Sequence, residues 1–331
     1  MSFVGKKILY IGVSTFSYEK EIKRALELKG AIVDYRDIRP GNSFFVKAAL
    51  RLNFKLLIDQ KLESHYAKIL EDISGEVYDY VFFVKLEGVS EEILTSLKSS
   101  QPSATFILYL WDSLDNCPGK SDLLTFFDKA FSFDMGDVAK SDRLSFLPLF
   151  YMPVYEEALL SSSSDHYDLC FIGTGHADRY ILVKELKKLS ESYGMRFFSF
   201  LYLQSRIIYF FRKLFDRSVR SANIGEFSFQ ALSHDEVLDL VSRSTVVVDI
   251  EHQGQAGLTM RTIEMLGCRK KIITTNASVM DYDFYDENNI CVVDRKSPYF
   301  PKEFISSPYK QIDEDVYLKY SLRNWLDTIF M

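Results

Sequence analysis

Cysteine is scarce in this chain of 331 residues: four thiols, at positions 117, 170, 268 and 291, none in a Cys-x-x-Cys and none in a Cys/His cluster of zinc spacing. That excludes a disulfide scaffold and a zinc module. Cys170, Cys268 and Cys291 sit in or beside apolar runs, where a buried thiol in a reducing compartment is the ordinary reading. A basic surplus is also lacking. Forty Lys and Arg against 46 Asp and Glu leave a net charge of −6, which argues against a general nucleic-acid binder. No apolar run has the length of a membrane span. The opening MSFVGKKILYIGVS passes directly into a strand–helix pattern, so it reads as a first strand and not a signal peptide. A soluble, cytoplasmic protein is expected. Glycines are missing where a dinucleotide fingerprint needs them: IGVSTF has one, and GTGHAD places an aspartate at the third position. An NAD or FAD enzyme is disfavoured, and no cofactor is expected.

Apolar and aromatic residues are plentiful, at 47% and 15% with 27 Phe and 20 Tyr, enough for two cores. Apolar runs of strand length alternate with amphipathic segments: KILYIGVS, SYEKEIKRALELKG, AIVDYRDI, YDYVFFVKL, SEEILTSLKSS, TFILYLWDS. Such alternation predicts an α/β fold with parallel sheets and right-handed crossovers. Residues 39–76 read as a largely helical insertion. The pattern lapses at MPVYEEALLSSSSDHY, whose serine run signals a linker. A second series then begins with DLCFIGTG. The expected organisation is a Rossmann-like domain over 1–152, a linker over 153–166, a second Rossmann-like domain over 167–311, and a terminal helix over 312–331 that returns to the first domain. The two parallel-sheet domains are expected to face a cleft.

The richest stretch is TVVVDIEHQGQAGLTMRTIEMLGCRKKIITTN, residues 245–276, a strand–loop–helix–strand unit. A helix that begins near Thr259 aims backbone N–H groups at the loop, a seat for an anion such as a diphosphate. Arg261 and Glu264, three apart on one face, add a cation for phosphate oxygens and a carboxylate for sugar hydroxyls. The plainer reading is that the two pair with each other on a solvated helix. Gly173, Thr174, Gly175 and Arg179 end a strand and open a helix, where ligands bind in open α/β sheets; there Asp178 is as readily a helix cap. His252 is placed to meet sugar or phosphate. In the first half, Asp112 emerges at the end of TFILYL, either as a general base toward an acceptor hydroxyl or as a turn cap. Ser14, Thr15 and Tyr18 line an acceptor pocket or serve as ordinary helix-start residues. No metal is expected: His176 and Asp178 lack a third ligand, and Asp281-Tyr282-Asp283, though literally D-x-D, lies among turn residues and reads as a loop over the nucleotide. RIIYFFRKLFDRSVR, residues 206–220, interleaves aromatics with five basic residues, as an interfacial helix or a core helix with a basic face.

In YDLCFIGTGHADR, DIEHQGQAGLTMRTIEMLGCRKKIITTN, YDFYDENNICVVDR and LYLWDS the chain resembles bacterial GT-B glycosyltransferases of lipopolysaccharide, O-antigen and capsule synthesis, and is similar to their CgeB-like branch. The likeness spans most of the chain and is strongest over 167–295. It implies a metal-independent hexosyl or deoxyhexosyl transfer, with the nucleotide-sugar donor in the C-terminal half and a glycan or lipid-linked glycan in the N-terminal half. It also implies peripheral contact with the cytoplasmic face of the inner membrane. Arg261-x-x-Glu264 matches the family's donor-site helix, whose glutamate contacts the ribose. The family's second glutamate, about two turns upstream, has no counterpart in Gly257–Met260, and Glu251 is too distant for the usual spacing. Two other classes fit the same architecture: a nucleotide-sugar epimerase, and a non-catalytic nucleotide-sugar-binding protein.

Overall fold

Strands that are apolar throughout need cover on both faces, and that requirement shapes each half of the molecule. The computed structural model describes residues 2–40, 55–116, 119–157, 166–175, 178–216, 218–252 and 256–331. The first part of the insertion, Cys117, the serine run of the linker, His176, Arg217 and Gln253 lie outside the described residues. The chain divides into two units, Met1–Pro148 with Leu322–Met331, and Leu149–Ser321.

The first unit holds β1 (Lys7–Gly12), β2 (Ile32–Asp37), β3 (Tyr80–Val84), β4 (Thr105–Leu110), β5 (Lys129–Ser132) and β6 (Ser145–Phe146), all parallel in the order β2-β1-β3-β4-β5-β6. Alternate side chains serve opposite faces. Leu9, Ile11, Val81, Phe83 and Leu108 join one core with Tyr66 and Ile69 of the Lys55–Asp72 helix and Leu94 and Leu97 of the Glu91–Ser100 helix. Tyr10, Phe82 and Tyr109 face the other way and meet the Leu322–Phe330 helix: Trp325 packs edge-on to Tyr109 at 4.7 Å, and Phe330 to Phe82 at 5.3 Å. Asp327 accepts from Lys29 at 2.7 Å on the same face.

The second unit holds β7 (Tyr167–Thr174), β8 (Phe197–Tyr202), β9 (Ser244–Asp249), β10 (Lys271–Thr274) and β11 (Ile290–Val292), parallel in the order β11-β10-β9-β7-β8. Both units are Rossmann-like. In each the chain leaves the first strand to one side and later crosses to the other, so a topological switch point opens between β1 and β3, and another between β7 and β9. Ligands of such sheets bind beyond the carboxyl ends of the strands at these points.

The tail departs from the single helix expected of it. It forms Glu314–Lys319 and Leu322–Phe330, interrupted because the Tyr320 carbonyl accepts from Tyr151 N–H at 2.9 Å and so is withdrawn from helical bonding.

Candidate functional site

Asp249 ends β9 at the C-terminal switch point, and two hydroxyls converge on one of its oxygens. Thr259 donates to Oδ2 at 2.6 Å and Thr262 at 2.8 Å. Thr259 also caps the Met260–Gly267 helix, its Oγ1 accepting from Thr262 N–H at 3.2 Å. The helix start is therefore fastened to the end of β9 by a buried carboxylate. Burial pushes the Asp249 pKa up, against the two hydroxyl hydrogen bonds and the neighbouring Arg261 and Arg179 charges.

Arg261 and Glu264 do pair, at 3.0 Å, but the helix is not the solvated one of the plainer reading: Thr262 through Gly267 are buried, and Glu264 is 5% exposed. Arg179 reaches back from its own helix to donate to Thr174 at 2.7 Å. Burial lowers its pKa, while Asp249 and Glu251 oppose that shift. Gly173 and Thr174 are still part of β7, paired with Leu201 and Tyr202 of β8. Gly175 serves packing: a Cβ there would stand 2.6 Å from the Phe227 ring and 3.3 Å from Leu201. His252 is exposed just past β9.

Sequence reasoning gave Arg295 no role of its own. Its guanidinium binds Asp178 at 2.6 Å and Glu251 at 2.9 Å, with a further short bond to the Glu251 carbonyl. Asp178 therefore faces Arg295 and makes no side-chain cap. Glu251, whose role was doubtful by spacing, is 8% exposed and also accepts from Thr275, just past β10. The carboxyl edge thus gathers Arg179, Arg261 and Arg295 with Asp178, Asp249, Glu251 and Glu264. The segment YDFYDENNICVVDR ends in Asp294-Arg295, but no spacing rule singles Arg295 out.

Asp281-Tyr282-Asp283 closes the short helical turn Ala277–Asp281 that follows β10. Asp283 binds Lys319 at 2.6 Å and the Tyr320 hydroxyl, bonds that draw its pKa below the usual value against the upward push of burial. Further along, Asn289 gives its carbonyl to Ile272 N–H at 2.9 Å, at the edge where β10 and β11 begin. Among the described residues no three His, Cys, Asp or Glu side chains are grouped as metal ligands.

At the N-terminal switch point Asp112 forms a short ion pair with Lys85, Lys85 binds Glu87 at 2.8 Å, and Glu87 binds Arg39 at 2.8 Å. Burial works against the Lys85 charge, and Asp112 with Glu87 raises its pKa in spite of it. Tyr18 is buried with its ring edge-on to Trp111 at 5.2 Å, while Ser14 donates to Glu19 at 3.0 Å. Ser14 and Tyr18 therefore lie past β1, and Asp112 past β4. Among the described residues four non-glycines have positive φ, and three of them, Phe16, Ser17 and Lys85, are at this edge. Such backbone costs on the order of 1–3 kcal/mol per residue and gathers at functional sites.

No protein-family model matches the chain. No curated protein sequence matches it. Solved structures do. The chain is similar to an alpha-glucosyltransferase in complex with UDP and a mismatched DNA, at 13% identity and TM-score 0.60, covering 98% of this chain and 94% of that one. It is also similar to Anabaena HepE in complex with UDP-glucose, at 11% identity and TM-score 0.60 over 98% of both chains. A third likeness is to the apo lipopolysaccharide outer core galactosyltransferase WaaB, at 12% identity and TM-score 0.53, over 98% and 99%. The fold is the GT-B one shared with these structures, two parallel Rossmann-like sheets with, among the described residues, six strands in one and five in the other.

Proposed function

We propose that the protein is a glycosyltransferase that moves a hexosyl or deoxyhexosyl group from a nucleoside-diphosphate donor to a surface polysaccharide or lipopolysaccharide acceptor, lipid-linked at the cytoplasmic face of the inner membrane. In this reading it belongs to the CgeB-like branch, residues 1–152 take the acceptor, and residues 167–311 take the donor. The observation that carries it is the seating of the Met260–Gly267 helix: the Asp249–Thr259–Thr262 bonds fix its start at the switch point where Arg179 and Arg261 also stand. Gly173 and Gly175 let the donor approach the backbone closely beside the Thr174 hydroxyl, and backbone amides past Thr259, with the two guanidiniums, stabilise the leaving diphosphate in place of a metal. Glu264 takes the ribose, and His252 a phosphate or sugar hydroxyl. In an inverting reaction Asp112 is the base, with Lys85 as its ion-pair partner. Ser14 and Tyr18 contact the acceptor.

The test measures donor hydrolysis and transfer, preceded by a thermal-shift panel of UDP-, GDP-, dTDP-, ADP- and CMP-sugars. A diphosphate donor at about 100 times its Kd stabilises the fold by about 2.7 kcal/mol. Arg261→Ala and Glu264→Ala are expected to abolish that shift and the turnover; undiminished activity in both rejects the donor site. Asp112→Asn is expected to retain the donor shift and lose transfer. One observation favours a second reading, non-catalytic nucleotide-sugar binding: Arg261 is already paired with Glu264 and Asp112 with Lys85. Calorimetric binding with no turnover on any acceptor would select it.

A further inference from the structure

The Arg206–Phe215 helix is amphipathic the wrong way round for a packed helix. Its residues Ile207, Phe210, Phe211, Leu214 and Phe215 are spaced i, i+3, i+4, i+7 and i+8, one continuous face, and each is 61–75% exposed. The opposite side is fastened to the unit: the Tyr209 ring is buried in the core with Val219 and Ala222, and its hydroxyl donates to the Ala222 carbonyl at 2.9 Å. The apolar stripe is therefore held outward by a fixed anchor. An exposed patch of large apolar side chains of this kind marks an interaction surface.

Its surroundings select the occupant. Between residues 201 and 222 the sequence has five basic residues, Arg206, Arg212, Lys213, Arg217 and Arg220, against one acid, Asp216, in a chain whose net charge is −6. On the helix, Arg206 and Lys213 flank the stripe on one side and Arg212 on the other, and Arg206 and Arg220 are exposed. A second copy docked by two-fold symmetry would set these cations against themselves. An anionic bilayer instead takes the aromatic face into its acyl boundary and the cations at its headgroups. Ten helical residues are about 15 Å long, enough to lie in an interface and far too short to cross one.

We propose that the Arg206–Phe215 helix docks the protein flat on an anionic lipid surface, with Ile207, Phe210, Phe211, Leu214 and Phe215 as the inserted face. The inference deepens the transferase reading by naming the surface that meets the membrane, and its test is separate from that reading, since lipid binding needs no donor. The experiment is cosedimentation of the full chain with vesicles of equimolar phosphatidylethanolamine and phosphatidylglycerol, and separately with pure phosphatidylcholine vesicles. Binding is expected to the first alone, to fall with added salt, and to weaken by about tenfold or more in Phe210→Ser/Phe211→Ser. In Arg206→Gln/Arg220→Gln the preference for the anionic vesicle shrinks. A Leu214→Trp variant supplies a readout that needs no loss of binding: its emission shifts to the blue on the anionic vesicles. Wild-type protein left in the supernatant, a double serine variant that sediments like wild type, or an unshifted Trp emission each overturn the proposal. So does a wild-type dimer in ultracentrifugation that the serine pair converts to a monomer, which would assign the face to a second copy.

Discussion

Asp249 is a buried carboxyl at which two threonine hydroxyls and nearby guanidiniums oppose the cost that burial sets on its charge. Thr262→Val keeps the shape and removes one donor, which is expected to cost about 1–3 kcal/mol in urea unfolding. The pH dependence has a definite sign. The folded-state pKa of Asp249 is raised, so its ionisation lowers stability as pH climbs from the unfolded-state value through the folded one. The Thr262→Val deficit is therefore expected to grow as pH rises through the folded-state pKa and to fade as pH falls below it; a deficit equal at all pH values would contradict it. Gly175→Ala is expected to cost about 1–3 kcal/mol by overpacking against Phe227 and Leu201, read from the same unfolding curves. At this scale the sequence was partly legible. Thr259, Arg261 and Glu264 follow from helix-start chemistry and the period of 3.6. Arg295 does not, because it meets Asp178 across 117 positions and no local rule spans that distance.

Among the elements, the strands were the most readable part, because full burial of β1, β3, β4 and β9 writes near-continuous apolar runs into the sequence. The outward apolar face of Arg206–Phe215 was not readable, since periodicity reports a stripe and not which way it points. The loops at the carboxyl ends of β2, β3 and β4 carry an ionic chain of which only Asp112 stood out beforehand. In that chain burial raises the Glu87 pKa, and Arg39 and Lys85 more than offset it, leaving it below the ordinary value. Its contribution to stability is thus present above the unfolded-state pKa and lost as pH falls through the folded one. Glu87→Gln is expected to lower the urea midpoint at pH 7 and to match wild type in acid below both values. An unchanged midpoint at neutral pH would show that the chain of charges contributes nothing net.

On the scale of the whole molecule, the first sheet is covered on one face by the last helix. Trp325 is 1% exposed there among Tyr109 and Phe82. Trp325→Ala is expected to destabilise the N-terminal unit by about 3–5 kcal/mol, seen as an early unfolding step by hydrogen exchange in residues 7–12 and 80–110 while the core of the second unit keeps its protection. The return of the tail was legible as an amphipathic pattern, but its break was not, since the Tyr151–Tyr320 bond that imposes it joins residues far apart in sequence.

During synthesis this arrangement inverts the usual order of events. The stretch made first must wait on the ribosome with Tyr10, Phe82 and Tyr109 uncovered until positions 322–330 emerge, whereas the stretch made second has its own strands to hand much earlier. A nascent chain arrested short of Leu322 is expected to be cut by protease in its first third and spared over its second sheet.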